Sequence, residues 1–225
     1  QLNESDLNIG VSELVLNQLR EYPTYSPKDE FVLYNGVNTS KFYQIKSVKN
    51  KTYTIGCIAN FWEIKDQITL IKAIELLILD GINDIQLKLI GTGKTLDLCK
   101  KFVKDHNLSE FVIFEKERAH NLINSFYNEI DLFVLPSYYE ALGCVYLESW
   151  STNTPFIAIK CQGISELIPD YEINNLLADE KSPSSLKEKI LGEYKKKRSF
   201  PFDEKYDIKN TIKEFMNYSF FTDIN

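Results

Sequence analysis

A chain of 225 residues, 44% hydrophobic and 26% charged, has the make-up of a soluble globular protein with one large domain or a domain and a half. The net charge of −6 argues against non-specific nucleic-acid binding, which relies on basic patches, so no nucleic-acid partner is expected. No apolar stretch is long enough for a bilayer, and the start Gln1-Leu2-Asn3-Glu4-Ser5-Asp6 is polar where a signal peptide is basic and then apolar, so a cytoplasmic location is expected.

In chain order, Leu14, Val15, Leu16 and Leu19 predict a short amphipathic helix over 12–21, ended by Tyr22-Pro23. Phe31-Val32-Leu33-Tyr34 reads as a strand, and Asn35-Gly36 as a sharp turn into a connecting segment, because no alternating return strand follows. After the polar linker 46–51, strands and helices alternate. Strands are predicted over 53–58, 85–90, 111–114, 131–135 and 155–159, with helices over 66–79, 94–106 and 120–128 and another opening near Gly143. Gly163-Ile164-Ser165-Glu166-Leu167-Ile168 reads as the start of a short helix, and a last helix is predicted over 184–197. This alternation predicts an α/β fold, a doubly wound, Rossmann-like parallel sheet with helices on both faces.

In such a sheet ligands bind outside the carboxyl ends of the strands, which singles out the loops 59–65, 91–94, 115–120, 136–143 and 160–166. The fourth is the most informative. Asp131-Leu132-Phe133-Val134-Leu135-Pro136 reads as a buried strand, and Glu140-x7-Glu148 then straddles a glycine at the start of a helix. Free N–H groups there form an anion site, with Glu140 in the loop and Glu148 one to two turns inside. The same residues also fit a capping box, Ser137-x-x-Glu140, with Glu148 on the helix surface. That version places Gly143 inside a helix, at roughly 1 kcal/mol relative to alanine.

Lys65 at a helix start opposes the helix dipole unless an anion binds nearby, which makes it either a phosphate ligand or a solvated lysine. Asn60 could add a neutral hydrogen bond, and Phe61 and Trp62 read as loop packing. Gly91-Thr92-Gly93 lacks the third glycine of a dinucleotide fingerprint and serves a turn and close approach. Arg118 either lies along a base or ribose or is a surface arginine; His106 reads as a cap on its helix's last carbonyls. Ser165 and Glu166 could hold a sugar hydroxyl or a phosphate oxygen. Cys57, Cys99, Cys144 and Cys161 contain no C-x-x-C pair, and no acid or histidine cluster has metal spacing, so no metal is expected. Lys195-Lys196-Lys197-Arg198 is either a solvated helix end or a contact for an anionic membrane surface. What remains is electrostatic chemistry, with Lys65 and helix-start N–H groups stabilising a departing diphosphate.

These residues resemble the retaining nucleotide-sugar glycosyltransferases of family 4, which have the two-domain GT-B fold. The likeness runs from about Val11 to Leu191 through Val11-Ser12-Glu13, Asn35-Gly36-Val37-Asn38 with Phe42, Ile58 to Asp66, Leu89 to Gly93, Asp131 to Ser137, Glu140-x7-Glu148 and Gly163 to Leu167, in family order. The resemblance implies that Glu148 binds the nucleotide ribose and that Glu140 contacts the donor sugar near the reacting face. It further implies that Lys65 and the N–H groups of Leu142, Gly143 and Cys144 hold the diphosphate, and that the loop around Arg118 borders the base. Many members carry arginine where Asn60 stands, so one charge contact is absent or replaced here.

The chain is similar to the donor-binding half alone, with a lead-in and inter-domain connection over 1–50, a nucleotide-sugar-binding domain over 51–199 and a C-terminal helix and tail over 200–225. The tail Phe202 to Phe221 is similar to the helix that crosses back to the first domain, and without that domain its apolar face is expected to be exposed. The implied activity is metal-independent transfer of a hexosyl group from a UDP-, GDP- or ADP-sugar to a glycan or lipid-linked acceptor, with retention, in surface polysaccharide or glycan assembly. The acceptor would be bound by the missing N-terminal domain, at the inner face of the membrane if the basic run makes contact there. The rival readings are a nucleotide-sugar epimerase on the same fold and a non-catalytic partner of a separate acceptor subunit.

Overall fold

The computed structural model describes residues 2–45, 52–196 and 199–218. The lead-in forms β1 (Asn8–Gly10), α1 (Glu13–Arg20) and β2 (Glu30–Val32), with β1 and β2 paired in parallel. Ser12 caps α1, its hydroxyl accepting from Val15 N–H. The linker 46–50, with Lys51, lies outside the described residues. From β3 (Tyr53–Ile58) the alternation holds: α2 (Gln67–Leu79), β4 (Ile85–Ile90), α3 (Leu96–Asp105), β5 (Val112–Glu115), α4 (Ile123–Glu129), β6 (Leu132–Val134), α5 (Cys144–Ser151) and β7 (Phe156–Ile159). Next come α6 (Asp170–Leu176), β8 (Leu177–Ala178), α7 (Pro183–Glu193) and α8 (Ile208–Met216).

The main sheet has the order β5-β4-β3-β6-β7-β8, and every pairing is parallel. β6 and β7 are buried throughout, as strands covered on both faces must be. α2 packs against α3 and α7, and α4 against α5, with Ile55, Leu87, Phe133 and Ile157 in the apolar layers between helices and sheet. The winding reverses between β3 and β6, which opens a crevice at their carboxyl ends.

Several predicted elements change. Gly36 keeps a negative φ and makes no tight turn; a Cβ there would overlap the backbone of Ile208 at the start of α8, and the adjacent Val37 bridges to Asp207. The segment from Gly163 is a 3-10 turn (Gly163–Leu167) and not an α-helix. The C-terminal segment is held at two places. Trp150 of α5 donates to the Pro201 carbonyl at 2.8 Å and packs on Phe200, Phe202 and Tyr206, and Phe31 of β2 meets Tyr218 at 4.2 Å between ring centroids. Ile212 and Met216 on α8 are exposed, whereas Phe220 and Phe221 lie outside the described residues. In the basic run Lys195 pairs with Asp84 at 2.5 Å and Lys196 with Glu193 at 3.1 Å; Lys197 and Arg198 lie outside the described residues. His106 meets Glu75 of α2 at 2.6 Å, so its role is to tie α3 to α2. Among the described residues no helix is long and apolar enough to cross a membrane.

Candidate functional site

The loops after β3 and β6 meet at the crevice. The hydroxyl of Ser137, fully buried, shares its one proton between the carbonyls of Ile64 (3.0 Å) and Tyr139 (2.9 Å), and Tyr138 N–H donates to Ile64 O at 3.1 Å. Ser137 therefore knits two loops together and forms no capping box. The second loop is fixed from below: the Tyr146 hydroxyl, with one proton to share, lies 3.0 Å from Leu135 O and 2.9 Å from Gln162 Oε1, and Gln162 in turn donates to Ser137 O. Gly143 caps α5 in the left-handed region (φ 80°), where a Cβ would collide with the Tyr146 ring.

The chain's start clamps the same loop. Ser12 donates to the Ala141 carbonyl at 2.5 Å, and Tyr139 donates to Gln18 of α1 at 3.0 Å. Gly163 lies so close to Ala141 that a Cβ would overlap its carbonyl oxygen. Gly163→Ala is therefore expected to destabilise the fold by roughly 1–3 kcal/mol, the usual penalty of overpacking. It should also displace the 139–143 loop and reduce ligand binding; thermal melts with a ligand titration check both.

Lys65 lies in a 3-10 turn (Glu63–Lys65), separated from α2 by Asp66 in the left-handed region, and not at the helix start itself. Its ammonium pairs with the Glu140 carboxylate, Nζ to Oε1 at 2.5 Å, with the side chains 22% and 14% exposed. Glu140 also adjoins Gly143, a Cβ on which would lie 3.7 Å from that of Glu140. Helix geometry leaves the first-turn N–H groups of α5 without intrahelical acceptors, and of these Tyr146 N–H turns back to Gly143 O at 3.0 Å. Leu142 is buried and offers only its backbone; Cys144 is exposed at the helix start, and its sulfur accepts from Asn35 at 3.4 Å.

Glu148 sits one turn further along, with Tyr127 donating to Oε2 at 2.9 Å. Burial pushes its carboxyl above the usual range, opposed by the Tyr127 hydrogen bond and the charge of His120. Partial burial of its sulfur raises the Cys144 thiol, and the charges of Glu148 and Glu140 add to that rise. The structure thus gathers Lys65, Glu140, Gly143, Cys144 and Glu148 around one helix start.

The Glycosyl transferases group 1 family matches residues 39–206. The chain belongs to that family. Over 189 residues this family member is 33% identical to an uncharacterized glycosyltransferase of Methanocaldococcus jannaschii, an alignment that takes in 83% of this chain and 49% of that protein. The chain therefore spans about half the length of that relative. Among solved structures, HepE of Anabaena in complex with UDP and glucose superposes with a TM-score of 0.81 at 17% identity, covering 94% of this chain and 62% of that one. The C-terminal domain of a group 1 glycosyl transferase, LpcC of Francisella tularensis, gives 0.61 at 26% identity, covering 78% and 93%. The architecture is one Rossmann-like half of a GT-B fold.

Other candidates in this group 1 domain are placed differently. Arg118 donates to Glu115 (2.8 Å) and Glu129 (3.2 Å) and lies over the Phe126 ring, so its guanidinium is engaged within the protein. Glu166 accepts from the N–H groups of Glu13 and Leu14, both at 2.8 Å, and from the Tyr34 hydroxyl at 3.0 Å. Ser165 donates to Gln162 O at 2.6 Å. Both residues of that pair make structural contacts in place of the expected sugar or phosphate contacts, and Glu166 caps α1. Asn60 has an exposed side chain, and its carbonyl accepts from Gln67 at 2.9 Å. Gly91 permits the close approach of the Ala59 carbonyl and so supports the loop carrying Asn60. Phe61 is buried, as loop packing requires, whereas Trp62 is exposed, with the Lys94 ammonium 4.8 Å over its ring. Asn35 is read from the sequence only as part of a turn and of the family resemblance, and Tyr127 not at all; only the fold brings Asn35 to Cys144 across 109 positions and Tyr127 to Glu148 across 21.

Proposed function

We propose that this chain is the donor-binding half of a glycosyltransferase that moves a hexosyl group from a nucleoside diphosphate sugar to a glycan or lipid-linked acceptor, with retention of configuration. The observation that carries this reading is the convergence of Lys65, Glu140 and the start of α5 at the sheet's switch point, with Glu148 one turn beyond. Lys65 and the N–H groups of Leu142, Gly143 and Cys144 take the diphosphate; Asn60 adds a neutral contact, and Gly91 lets its loop pack closely. Glu148 takes the ribose, Glu140 faces the donor sugar, and the Arg118 loop borders the base. HepE, the fold neighbour solved with UDP and glucose, lends the ligand class support.

In the proposed step the bond from the anomeric carbon to the diphosphate oxygen breaks, and the acceptor oxygen bonds to that carbon on the same face. The acceptor's proton passes to the departing diphosphate, whose growing charge Lys65 and the helix-start N–H groups stabilise without a metal. The acceptor is bound by a second domain outside this chain, so the chain alone binds nucleotide and transfers nothing. Calorimetric titration with UDP, GDP and ADP tests the site. Weak binding of at least one is expected, and no heat from any of them on folded protein would overturn the assignment.

A further inference from the structure

Tyr127, on α4, is wholly buried, its ring packed among Phe42, Phe126 and Phe133. Neighbouring rings on several sides fix its rotamer and hence the direction of its hydroxyl. That hydroxyl makes one hydrogen bond among the described residues, to Glu148 Oε2 at 2.9 Å. Burial and the adjacent Glu148 carboxylate hold the phenol well above its usual range, so it stays a donor. Glu148 Oε1 has no hydrogen-bond partner among the described residues, and the exposed Cys144 lies one turn before it on the same helix.

A carboxylate on a glutamate stem rotates freely unless something holds one oxygen. Each carboxylate oxygen accepts two hydrogen bonds, so holding Oε2 through one lone pair leaves Oε1 and the second lone pair of Oε2 available together. We propose that Tyr127 is a positioning residue, which by holding Glu148 Oε2 sets the carboxylate as a two-point acceptor for a cis-diol such as the 2′- and 3′-hydroxyls of a ribose. This rests on the ribose-binding role proposed for Glu148. It adds that the preference for ribose over deoxyribose is set from the core, by a residue that does not touch the ligand.

Tyr127→Phe, Glu148→Ala and the double variant test this by calorimetry with UDP, GDP and ADP, followed by the 2′-deoxy form of the tightest of the three. Tyr127→Phe keeps the ring and removes only the hydroxyl. It is expected to weaken binding roughly three- to tenfold, less than the tenfold or more for losing a hydrogen bond to a charged group outright, because the ligand keeps its acceptor and loses only the preset orientation, and to narrow the ribose-to-deoxyribose ratio. The same change should cost nothing further in the Glu148→Ala background, because it acts through that carboxylate. Native affinity in Tyr127→Phe, or an equal loss in both backgrounds, would overturn the inference. Native affinity in Glu148→Ala is a different failure, because it removes the ribose reading itself. Glu148→Gln gives a second readout independent of how Tyr127→Phe folds. With Tyr127 donating to its amide oxygen, the NH2 group must face the diol, and binding should fall nearly as far as in Glu148→Ala. Undiminished binding there would show that Tyr127 does not set the orientation.

Discussion

Glu148→Ala is expected to weaken nucleoside diphosphate binding by a factor of ten or more, whereas Glu140→Ala leaves it unchanged or tightens it. The two acids differ in what they do before a ligand arrives. Glu148 offers a partly buried carboxylate with one oxygen held by Tyr127, and hydrogen bonds from a diol to such a charged group are worth about 1.5–3 kcal/mol each, so losing one already exceeds a tenfold change. Glu140 competes with the diphosphate for Lys65 through the 2.5 Å ion pair, and removing it frees that cation. The reverse order of effects would mean that the two roles are exchanged.

A pH dependence follows from the same burial. The folded state holds the Glu148 proton more tightly than the unfolded state does, so this group's contribution to stability is largest below the ordinary glutamate range and is lost as pH rises through its raised pKa. Glu148→Gln should therefore melt at a higher temperature than the native chain at pH 7, with the gap closing in acid. Nucleotide affinity should run the opposite way, falling as acid protonates Glu148, and starting to fall at a higher pH than an ordinary carboxylate would give. Melting curves and titrations over the same pH series separate the two effects.

The sheet was legible because its signals are local. Runs such as Tyr53–Ile58 and Ile85–Ile90, each followed by a helix with an apolar face, carry their own periodicity, and the order of such units leaves few topologies. β1, Asn8–Gly10, has no such signal: three residues with asparagine and glycine at the ends become a strand only because Glu30–Val32 lies beside them. β8 is two residues long and follows α6 without a loop, so neither length nor a turn residue marks it. The site divides in the same way. Gly143 at a helix start between two glutamates was readable from spacing, but the work of Glu166 was not. Its partners Glu13 and Leu14 are more than 150 positions away in the chain, and a glutamate after a glycine looks the same whether it meets a sugar or caps a distant helix. Arg118 shows the same ambiguity, since only the folded chain shows Glu129 beside it.

Lys65→Met is expected to lower both stability and diphosphate affinity, and a second substitution should restore only the first. The Lys65–Glu140 pair is mostly shielded from water, at 22% and 14% exposure, so deleting the cation leaves a poorly solvated carboxylate without a partner. Breaking a fully buried pair costs about 3–5 kcal/mol, and residual solvation here reduces that to roughly 1–3 kcal/mol. In a chain of this size the loss corresponds to a fall in melting temperature of roughly 3–10 °C. Adding Glu140→Gln removes the stranded charge, so the double variant should regain most of the lost melting temperature. Affinity behaves otherwise, because no neutral side chain replaces a point charge beside a diphosphate. Both variants should bind UDP, GDP or ADP roughly tenfold or more weakly than the native chain, with the parent nucleosides unaffected. Calorimetric melts paired with diphosphate and nucleoside titrations distinguish the outcomes. Undiminished diphosphate binding in Lys65→Met would remove Lys65 from the site. A melting temperature that stays low in the double variant would mean that the loss does not come from a stranded Glu140 charge. If both expectations hold, the ion pair keeps Lys65 in place until a diphosphate takes it over, and the exchange releases Glu140 at the moment a sugar lies beside it.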